Sequence, residues 1–145
     1  YIDVFNNEIV AYDLSDSKHG NNPVNHLRAL KSLIKVIKKR GYTNLETIVH
    51  SDQGVIYTSK VFANTHKDYN IKRSMSRQGT PTDNPIIESL NGWIKEELVC
   101  DFNLYKTKDI HKTIQDYIHY FNNERLSYSL KYKSPVQYRT ELSFK

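Results

Sequence analysis

The chain has 145 residues, with 21 Lys and Arg against 16 Asp and Glu, so its formal net charge is +5. This length fits one domain, and a composition with 38% hydrophobic and 26% charged residues excludes a disordered chain. A single cysteine, Cys100, expected to be buried or half-buried, excludes an internal disulfide framework. No apolar run reaches the ~20 residues of a membrane helix. We therefore expect a cytoplasmic protein that does not bind membranes, and the positive charge favours a polyanionic partner.

The first 41 residues predict a hairpin and a long helix. Two extended runs within residues 1–12 flank a polar turn. A helix begins with Asn22 as its N-cap and Pro23 in its first position. Apolar residues then recur every three to four positions until Gly41, which ends the helix.

The remaining chain alternates between strands and helices. In order, the pattern predicts a buried strand over 45–50, a helix over 59–69, a strand over 71–74, a loop over 75–83, a helix from Asn84-Pro85 to about Leu98, a helix over 109–121 and a short helix after Ser134-Pro135. Strands joined by crossover helices predict an α/β fold in which helices flank a mixed central sheet.

Two carboxylates occupy positions that suit a catalytic site. Asp52 follows the predicted strand over 45–50, and ligands bind at the carboxyl ends of strands in α/β sheets. Glu88 lies in the first turn of the helix that begins at Asn84. Carboxylates suit hard cations such as Mg²⁺, and two such ions about 4 Å apart promote displacement at a phosphodiester. Each acid also has a simpler interpretation, because Asp is common in turns and Glu in a first turn complements the helix dipole.

Thirty-five residues separate Asp52 from Glu88, and this spacing belongs to a longer ordered pattern. The chain resembles the D,D-35-E transposases that are related to retroviral integrases, in particular the bacterial insertion-sequence transposases of the IS-three type. The residues that carry the resemblance are His50-Ser51-Asp52-Gln53-Gly54, Tyr57-Thr58-Ser59, Ser74-Met75-Ser76-Arg77, Gly79, Asp83-Asn84, Glu88-Ser89, Lys95-Glu96-Glu97-Leu98, Tyr120-Phe121-Asn122, Arg125 and Ser134-Pro135.

The resemblance implies a ribonuclease H-like fold and a transposase core that cuts the 3′ ends of a mobile element and joins them to target DNA. It implies Asp52 as the second metal-binding Asp, Glu88 as the third acid, and Mg²⁺ or Mn²⁺ in a two-metal arrangement. Lys95 would contact DNA near the site, although a solvated surface lysine is the simpler interpretation. The partners would be DNA (transposon ends and target), at the nucleoid, and further copies of the chain in a homo-oligomer. The integrase-like core would cover 1–122, with 123–145 as a C-terminal extension of the same domain.

The first acid of the family pattern has no clear counterpart in the chain. Asp3 is an acid on a predicted strand, but residues 1–10 resemble the family's second strand and its turn, where a noncatalytic Asp is usual. We expect the first strand, with its metal-binding Asp, upstream of Tyr1. On this interpretation the first strand is missing, the 145-residue fragment alone is inactive, and Asp3 is a doubtful ligand.

Basic and polar residues surround the proposed site. Lys72, Arg73 and Arg77 flank the 75–83 loop, where they either follow a phosphate backbone or form a solvated face. His50, two residues before Asp52, is expected to pack or to form hydrogen bonds rather than to take part in the chemistry.

Five tyrosines late in the chain are expected mostly to pack the final helices, with base stacking as the second interpretation: Tyr117, Tyr120, Tyr128, Tyr132 and Tyr138.

Two other functions stay open beside the transposase. A catalytically incomplete relic would only bind DNA or self-associate. A metal-dependent nuclease of the same fold would cut DNA without strand transfer, and only its products would distinguish it.

Overall fold

A computed structural model describes residues 1–15, 23–54, 57, 60–67 and 69–142, apart from the side chains of Val61, Lys67 and Pro81. In chain order its elements are β1 (Ile2–Asp3), β2 (Glu8–Ile9), α1 (Pro23–Lys39), β3 (Thr47–Ser51), α2 (Lys60–Lys67), β4 (Ile71–Met75), α3 (Pro85–Cys100), α4 (Ile110–Asn123) and α5 (Pro135–Glu141), with 3₁₀ turns at Pro81–Asp83 and Tyr128–Leu130. Strands and helices alternate as the hydrophobic pattern predicts, so the α/β class is confirmed.

The chain divides into two compact units. The central unit comprises Ala11–Pro85, and the split unit comprises Tyr1–Val10 with Ile86–Lys145. In the split unit β1 pairs with β2 antiparallel, and in the central unit β3 pairs with β4 parallel. Where the sequence predicts one mixed central sheet, the described residues form two separate two-stranded pairs, one antiparallel and one parallel. The division into a core over 1–122 and an extension over 123–145 stays a prediction.

Helix α1 contributes much of the core of the central unit. Its apolar residues lie on one side, where Leu30 and Leu33 are among the buried residues. Two lysines occupy its last turn and complement the helix dipole, and Gly41 follows with a φ of +75°. The predicted first residues of α1 and α2, Asn22 and Ser59, lie outside the described residues.

Strands β3 and β4 run in register, with Ser51 opposite Met75. The prediction that β3 is a buried strand is wrong for most of its length. Val49 is buried, but its neighbour Ile48 is 62% exposed. Successive side chains of a strand point to opposite faces, so the described part of the chain covers one face of this pair and not the other.

Polar side chains attach the β1–β2 hairpin to the helices of the split unit. Asn122 on α4 accepts the N–H of Ile9 at 2.9 Å and donates to the carbonyl oxygen of Ile9 at 3.0 Å. Asn6 is fully buried and donates to a backbone carbonyl at the start of α5 at 2.9 Å. Buried Glu8 accepts a hydrogen bond from Arg139 at 2.8 Å. Because these polar groups are buried with partners, the hairpin has one favoured position on the helices.

Side-chain caps define the ends of α4 and α5. Asp109 accepts the backbone N–H of a first-turn residue of α4 at 2.9 Å. Ser134 and Gln137 form a reciprocal capping box at the start of α5. Between these caps, Tyr117 and Phe121 are the buried side chains that α4 contributes to the core.

The expected burial of Cys100 is wrong. Cys100, expected to be buried or half-buried, is exposed at the end of α3. Among the described helices, none combines the length and the hydropathy that crossing a bilayer requires.

Candidate catalytic site

Asp52 lies directly after β3, as the sequence predicts, and its side chain is exposed. Its Oδ1 accepts the backbone N–H of Gly54 at 2.9 Å, which closes a tight turn. A Cβ added at Gly54 would lie 3.0 Å from this Oδ1, so any larger residue would displace the carboxylate by a few tenths of an ångström. The turn therefore fixes the position of the Asp52 carboxylate, and a side chain at position 54 would crowd it.

Tyr57, five residues after Asp52, is bonded to Arg73. Burial, together with the negative charge of Asp52, raises the pKa of the Tyr57 phenol. The backbone carbonyl of Tyr57 accepts a hydrogen bond from the guanidinium of Arg73, which also lies 5.9 Å from the ring centre of Phe62. Arg73, predicted to contact DNA, is thus half-buried and bonded within the protein.

His50 joins β3 to β4 beside the candidate site. Its Nδ1 lies 2.9 Å from the hydroxyl of Ser74, and its Nε2 lies 3.0 Å from the hydroxyl of Ser76. The backbone of Ser76 in turn donates to the carbonyl oxygen of Ser51 at 2.9 Å. The predicted hydrogen-bonded role of His50 is confirmed.

An ion pair closes the loop between β4 and α3. Arg77 donates through Nε and Nη2 to the two carboxylate oxygens of Asp83, at 3.0 and 2.8 Å. The backbone N–H of Arg77 adds a third bond to Asp83 at 2.9 Å. These hydrogen bonds hold the pKa of Asp83 well below its usual range. Arg77, also predicted to contact DNA, therefore has an internal partner that fixes the ends of this loop.

Glu88 and Lys95 both lie exposed on α3, with Glu88 in its first turn as predicted. Their separation of seven residues corresponds to two helical turns, about 10 Å along the helix. Nearer the other end of α3, Glu97 accepts hydrogen bonds from Nε of Arg125 at 2.7 and 3.0 Å and from the hydroxyl of Tyr117 at 2.9 Å. This half-buried group attaches the helix that carries Glu88 to α4.

The two acids offer the kind of donor atom that a hard cation prefers. Asp52 and Glu88 both present exposed carboxylates, the oxygen ligands that Mg²⁺ prefers. Asp52 belongs to the central unit and Glu88 to the split unit, and their meeting in one pocket stays a prediction. Across the described residues, no group of three or more His, Cys, Asp or Glu side chains forms a cluster able to hold a metal ion.

Asp3 has a structural role in the β1–β2 hairpin. Its Oδ1 accepts the backbone N–H of Phe5 at 3.0 Å, a hydrogen bond that closes the turn. Asp52 makes the same turn bond to Gly54, so this contact does not separate a metal ligand from a turn residue, and Asp3 as a doubtful ligand stays a prediction.

Sequence reasoning missed the partners of several charged residues. The pattern that carried the resemblance includes Glu97 and Arg125, but nothing local indicates that these two side chains meet across two helices. Arg77 and Asp83 pair across the five residues between them, and the hydrophobic periodicity of the sequence does not predict this contact. Only the order of the motif residues connected these positions in advance.

The fold is similar to that of a chain in the cryo-EM structure of the simian T-cell lymphotropic virus intasome in complex with PP2A regulatory subunit B56 gamma. The two chains superpose with a TM-score of 0.62 and 20% identity, over 75% of this chain and 38% of that chain. The likeness confirms the expected ribonuclease H-like fold class.

Residues 1–81 match a family model described as an integrase core domain, and residues 88–142 match a second model with the same description. The chain belongs to the integrase core domain family.

Curated relatives narrow the family to bacterial insertion sequences. The putative transposase InsK for insertion sequence element IS150 of Escherichia coli is 31% identical over 97% of this chain and 47% of its own length. An uncharacterized transposase-like protein of Haemophilus influenzae is 37% identical, over 96% and 61%. The transposase for insertion sequence element IS904 of Lactococcus lactis is 30% identical, over 94% and 52%. The predicted IS-three type is confirmed, and the chain spans about half the length of these relatives.

Proposed function

We propose that the chain is the catalytic core of a DNA transposase, which cuts the 3′ ends of an insertion sequence and joins them to target DNA. The observation that carries the proposal is the placement of two exposed carboxylates in an integrase core: Asp52 directly after a strand and Glu88 in the first turn of a helix. The names of the relatives, which describe transposases for insertion sequences, support the same activity.

Asp52 and Glu88 would hold the divalent ions, Mg²⁺ or Mn²⁺, through their carboxylate oxygens. Two metal ions held there would supply an activated water or hydroxyl and would stabilise the leaving oxygen at a phosphodiester. In the cleavage step, water attacks phosphorus, the bond to the 3′ oxygen breaks, and a free 3′-hydroxyl results. In the joining step, this hydroxyl loses its proton and attacks a target phosphorus, while the target's own 3′ oxygen leaves.

Exposed lysines are the DNA contacts that the geometry supports best. Lys95 lies on the same helix as Glu88, and Lys72 lies on β4, which pairs with the strand that precedes Asp52. Both side chains are exposed and can each contact a phosphate. Arg73 and Arg77, which have internal partners, would add positive charge without a comparable contact. Two DNA ends must be held together during transposition, so we include further copies of the chain in the active complex.

The test is a joining assay with the full-length protein that carries this chain. The probe is a labelled duplex taken from the DNA that borders the coding sequence, and the target is a supercoiled plasmid with Mg²⁺ or Mn²⁺. Asp52→Asn and Glu88→Gln are expected to abolish joining while leaving binding of the labelled duplex within about twofold. Glu96→Gln, an exposed glutamate on the same helix, is the matched control and is expected to join at the parent rate.

Each outcome of this assay decides between the functions. Covalent joining that disappears in both acid variants supports the transposase. Joining that persists in Glu88→Gln refutes the assignment of that residue. Nicked plasmid without any joined product favours a nuclease, and DNA binding without either product favours a catalytically incomplete relic.

A further inference from the structure

Two tyrosines project from a closed loop between α4 and α5. Within residues 127–133, here named the tyrosine loop, Tyr128 is 82% exposed and Tyr132 is 67% exposed. The expectation that these two residues pack the final helices is wrong. Burying large aromatic side chains is favourable, so an exposed pair of them at one point suggests a binding role.

The protein holds this loop in a defined shape. The backbones of Ser127 and Lys133 form an isolated antiparallel bridge, and the N–H of Tyr132 donates to the carbonyl oxygen of Ser127 at 2.9 Å. Leu130, at the centre of the loop, is buried and anchors it. Lys131 and Tyr132 both have positive φ angles, 56° and 57°, a left-handed conformation that disfavours ordinary side chains. Such a conformation persists only where the surrounding contacts impose it.

The two rings are arranged to leave their faces accessible. Their centres lie 5.6 Å apart and their planes meet at 85°, so the edge of one ring meets the face of the other. A contact of this kind covers only one of the four ring faces in the pair. The remaining faces, together with the high exposure of both side chains, offer flat apolar surfaces to a planar ligand.

One lysine supplies the positive charge that the loop can offer to an anionic ligand. The stretch from 125 to 140 contains four cations, Arg125, Lys131, Lys133 and Arg139, and is bordered by Glu124 and Glu141. Three of these cations pair with glutamates. Lys131 lies exposed between the two tyrosines and has no ion-pair partner among the residues that the structure describes. A planar, stackable ligand that carries negative charge matches both features.

We infer that the tyrosine loop binds single-stranded DNA, with bases stacking on Tyr128 and Tyr132 and a phosphate near Lys131. Bases in a duplex cover each other's faces, so only unpaired strands present free faces for stacking. A second copy of the chain is the other plausible occupant of an exposed aromatic patch. A two-fold contact through this loop would bring two copies of Lys131 into one interface, and their like charges disfavour it. The choice of DNA rests on the proposed function, but the binding requires neither Asp52 nor Glu88.

The test measures binding by fluorescence anisotropy at low salt. The probe is a labelled oligo(dT) of about 16 nucleotides, the upper end of known single-strand site sizes, and a duplex of the same length is the comparison. Tyr128→Leu and Tyr132→Leu are each expected to weaken oligo(dT) binding by about fivefold to a hundredfold, the range for one lost stack. Duplex binding should change by less than about twofold. The Phe variants keep the ring and should bind as the parent does.

A matched control tests whether any exposed tyrosine affects oligo(dT) binding or only those of the tyrosine loop. Tyr105 is 84% exposed, lies beside lysines in another loop and has no described ring partner, so Tyr105→Leu should leave oligo(dT) binding unchanged. Because both loop tyrosines are exposed, their Leu variants should melt within about 2 °C of the parent, which checks that the chain still folds.

Specific results would overturn the inference. These are unchanged oligo(dT) binding in the double Leu variant, an equal loss in Tyr105→Leu, or a dimer in sedimentation that the Leu variants abolish. The inference and the proposed function fail separately. Glu88→Gln should lose joining and keep oligo(dT) binding, whereas the Leu variants test the loop without touching either acid.

Discussion

Replacing Glu97 with Gln is expected to weaken the attachment of α3, the helix that carries Glu88, to α4. Glu97 accepts two hydrogen bonds from Arg125 and one from the hydroxyl of Tyr117, all between 2.7 and 3.0 Å. Burial, followed by the hydrogen bond to Glu97, raises the pKa of the Tyr117 phenol, which keeps it a donor at neutral pH. The guanidinium of Arg125 also lies 5.2 Å from the ring centre of Phe121 and is thereby held in place.

The size of the effect follows from burial and charge. A hydrogen bond to a charged group contributes about 1.5–3 kcal/mol, and removing one member of a fully buried pair costs about 3–5 kcal/mol. The side chains of Arg125 and Glu97 are 20% and 16% exposed, so solvent reduces these values, and Gln keeps one acceptor oxygen. We therefore expect a loss of about 1–3 kcal/mol in the free energy of unfolding, at roughly 2–4 °C of Tm per kcal/mol.

Urea denaturation of Glu97→Gln, Arg125→Met and the double variant measures this coupling. The double-mutant cycle should give an interaction energy of about 1–2 kcal/mol, because each single change removes the attraction between the two opposite charges. The matched control, Glu96→Gln, alters an exposed glutamate on the same helix and should stay within about 0.5 kcal/mol of the parent. A Glu97→Gln variant as stable as this control, or a coupling energy near zero, would refute the reasoning.

Three smaller perturbations test other contacts. Burial lowers the pKa of His66 below its ordinary value of 6.5. As the pH falls below 6.5, the unfolded chain therefore takes up a proton that the buried ring does not. The contribution of His66 to stability is thus complete above pH 6.5 and is lost as the pH falls. Thermal melts of His66→Leu should vary less between pH 5 and 7 than those of the parent, and an unchanged pH dependence would contradict this. Gly54→Ala should weaken Mn²⁺ binding in calorimetry several-fold, because the added Cβ displaces the carboxylate of Asp52, and unchanged affinity would disprove it. Ser134→Ala removes a capping box and should cost about 0.5–2 kcal/mol in urea denaturation, whereas a loss below about 0.3 kcal/mol would deny the cap a role.

Local signals were enough to predict the helices. Helix α1 has a regular apolar period and ends at a glycine with a positive φ, so its end at Lys39 lies within one residue of the prediction. Helix α5 begins where Ser134-Pro135 indicates, because a capping serine and a proline both favour a first turn. The positions of Asp52 and Glu88 on their elements followed from the same local patterns.

Contacts between distant residues could not be predicted in this way. From the sequence alone, Arg73 and Arg77 are expected to be free cations. In the structure, Arg73 donates to the backbone carbonyl of Tyr57, and Arg77 pairs with the carboxylate of Asp83. The apolar run of β3 indicates burial on both faces, but the residues packed against a strand are not encoded in the strand itself.

The exposure of Tyr128 and Tyr132 depends on a loop in which two consecutive residues, Lys131 and Tyr132, have the left-handed conformation. Neither lysine nor tyrosine favours this conformation, so the sequence does not predict the loop. The resemblance to a family supplied the assignment of the acids, which the residues alone left open.

The proposed function requires Asp52 and Glu88 to bind a common divalent ion, and Mn²⁺ titration followed by NMR tests this without any need for catalysis. Mn²⁺ broadens the signals of nearby amides, so we expect the amides of Gly54 and Ile87 to broaden together with one midpoint. Asp52→Asn should remove the broadening at both positions. Broadening at only one of them, or broadening at Ile87 that persists in Asp52→Asn, would contradict a shared metal site.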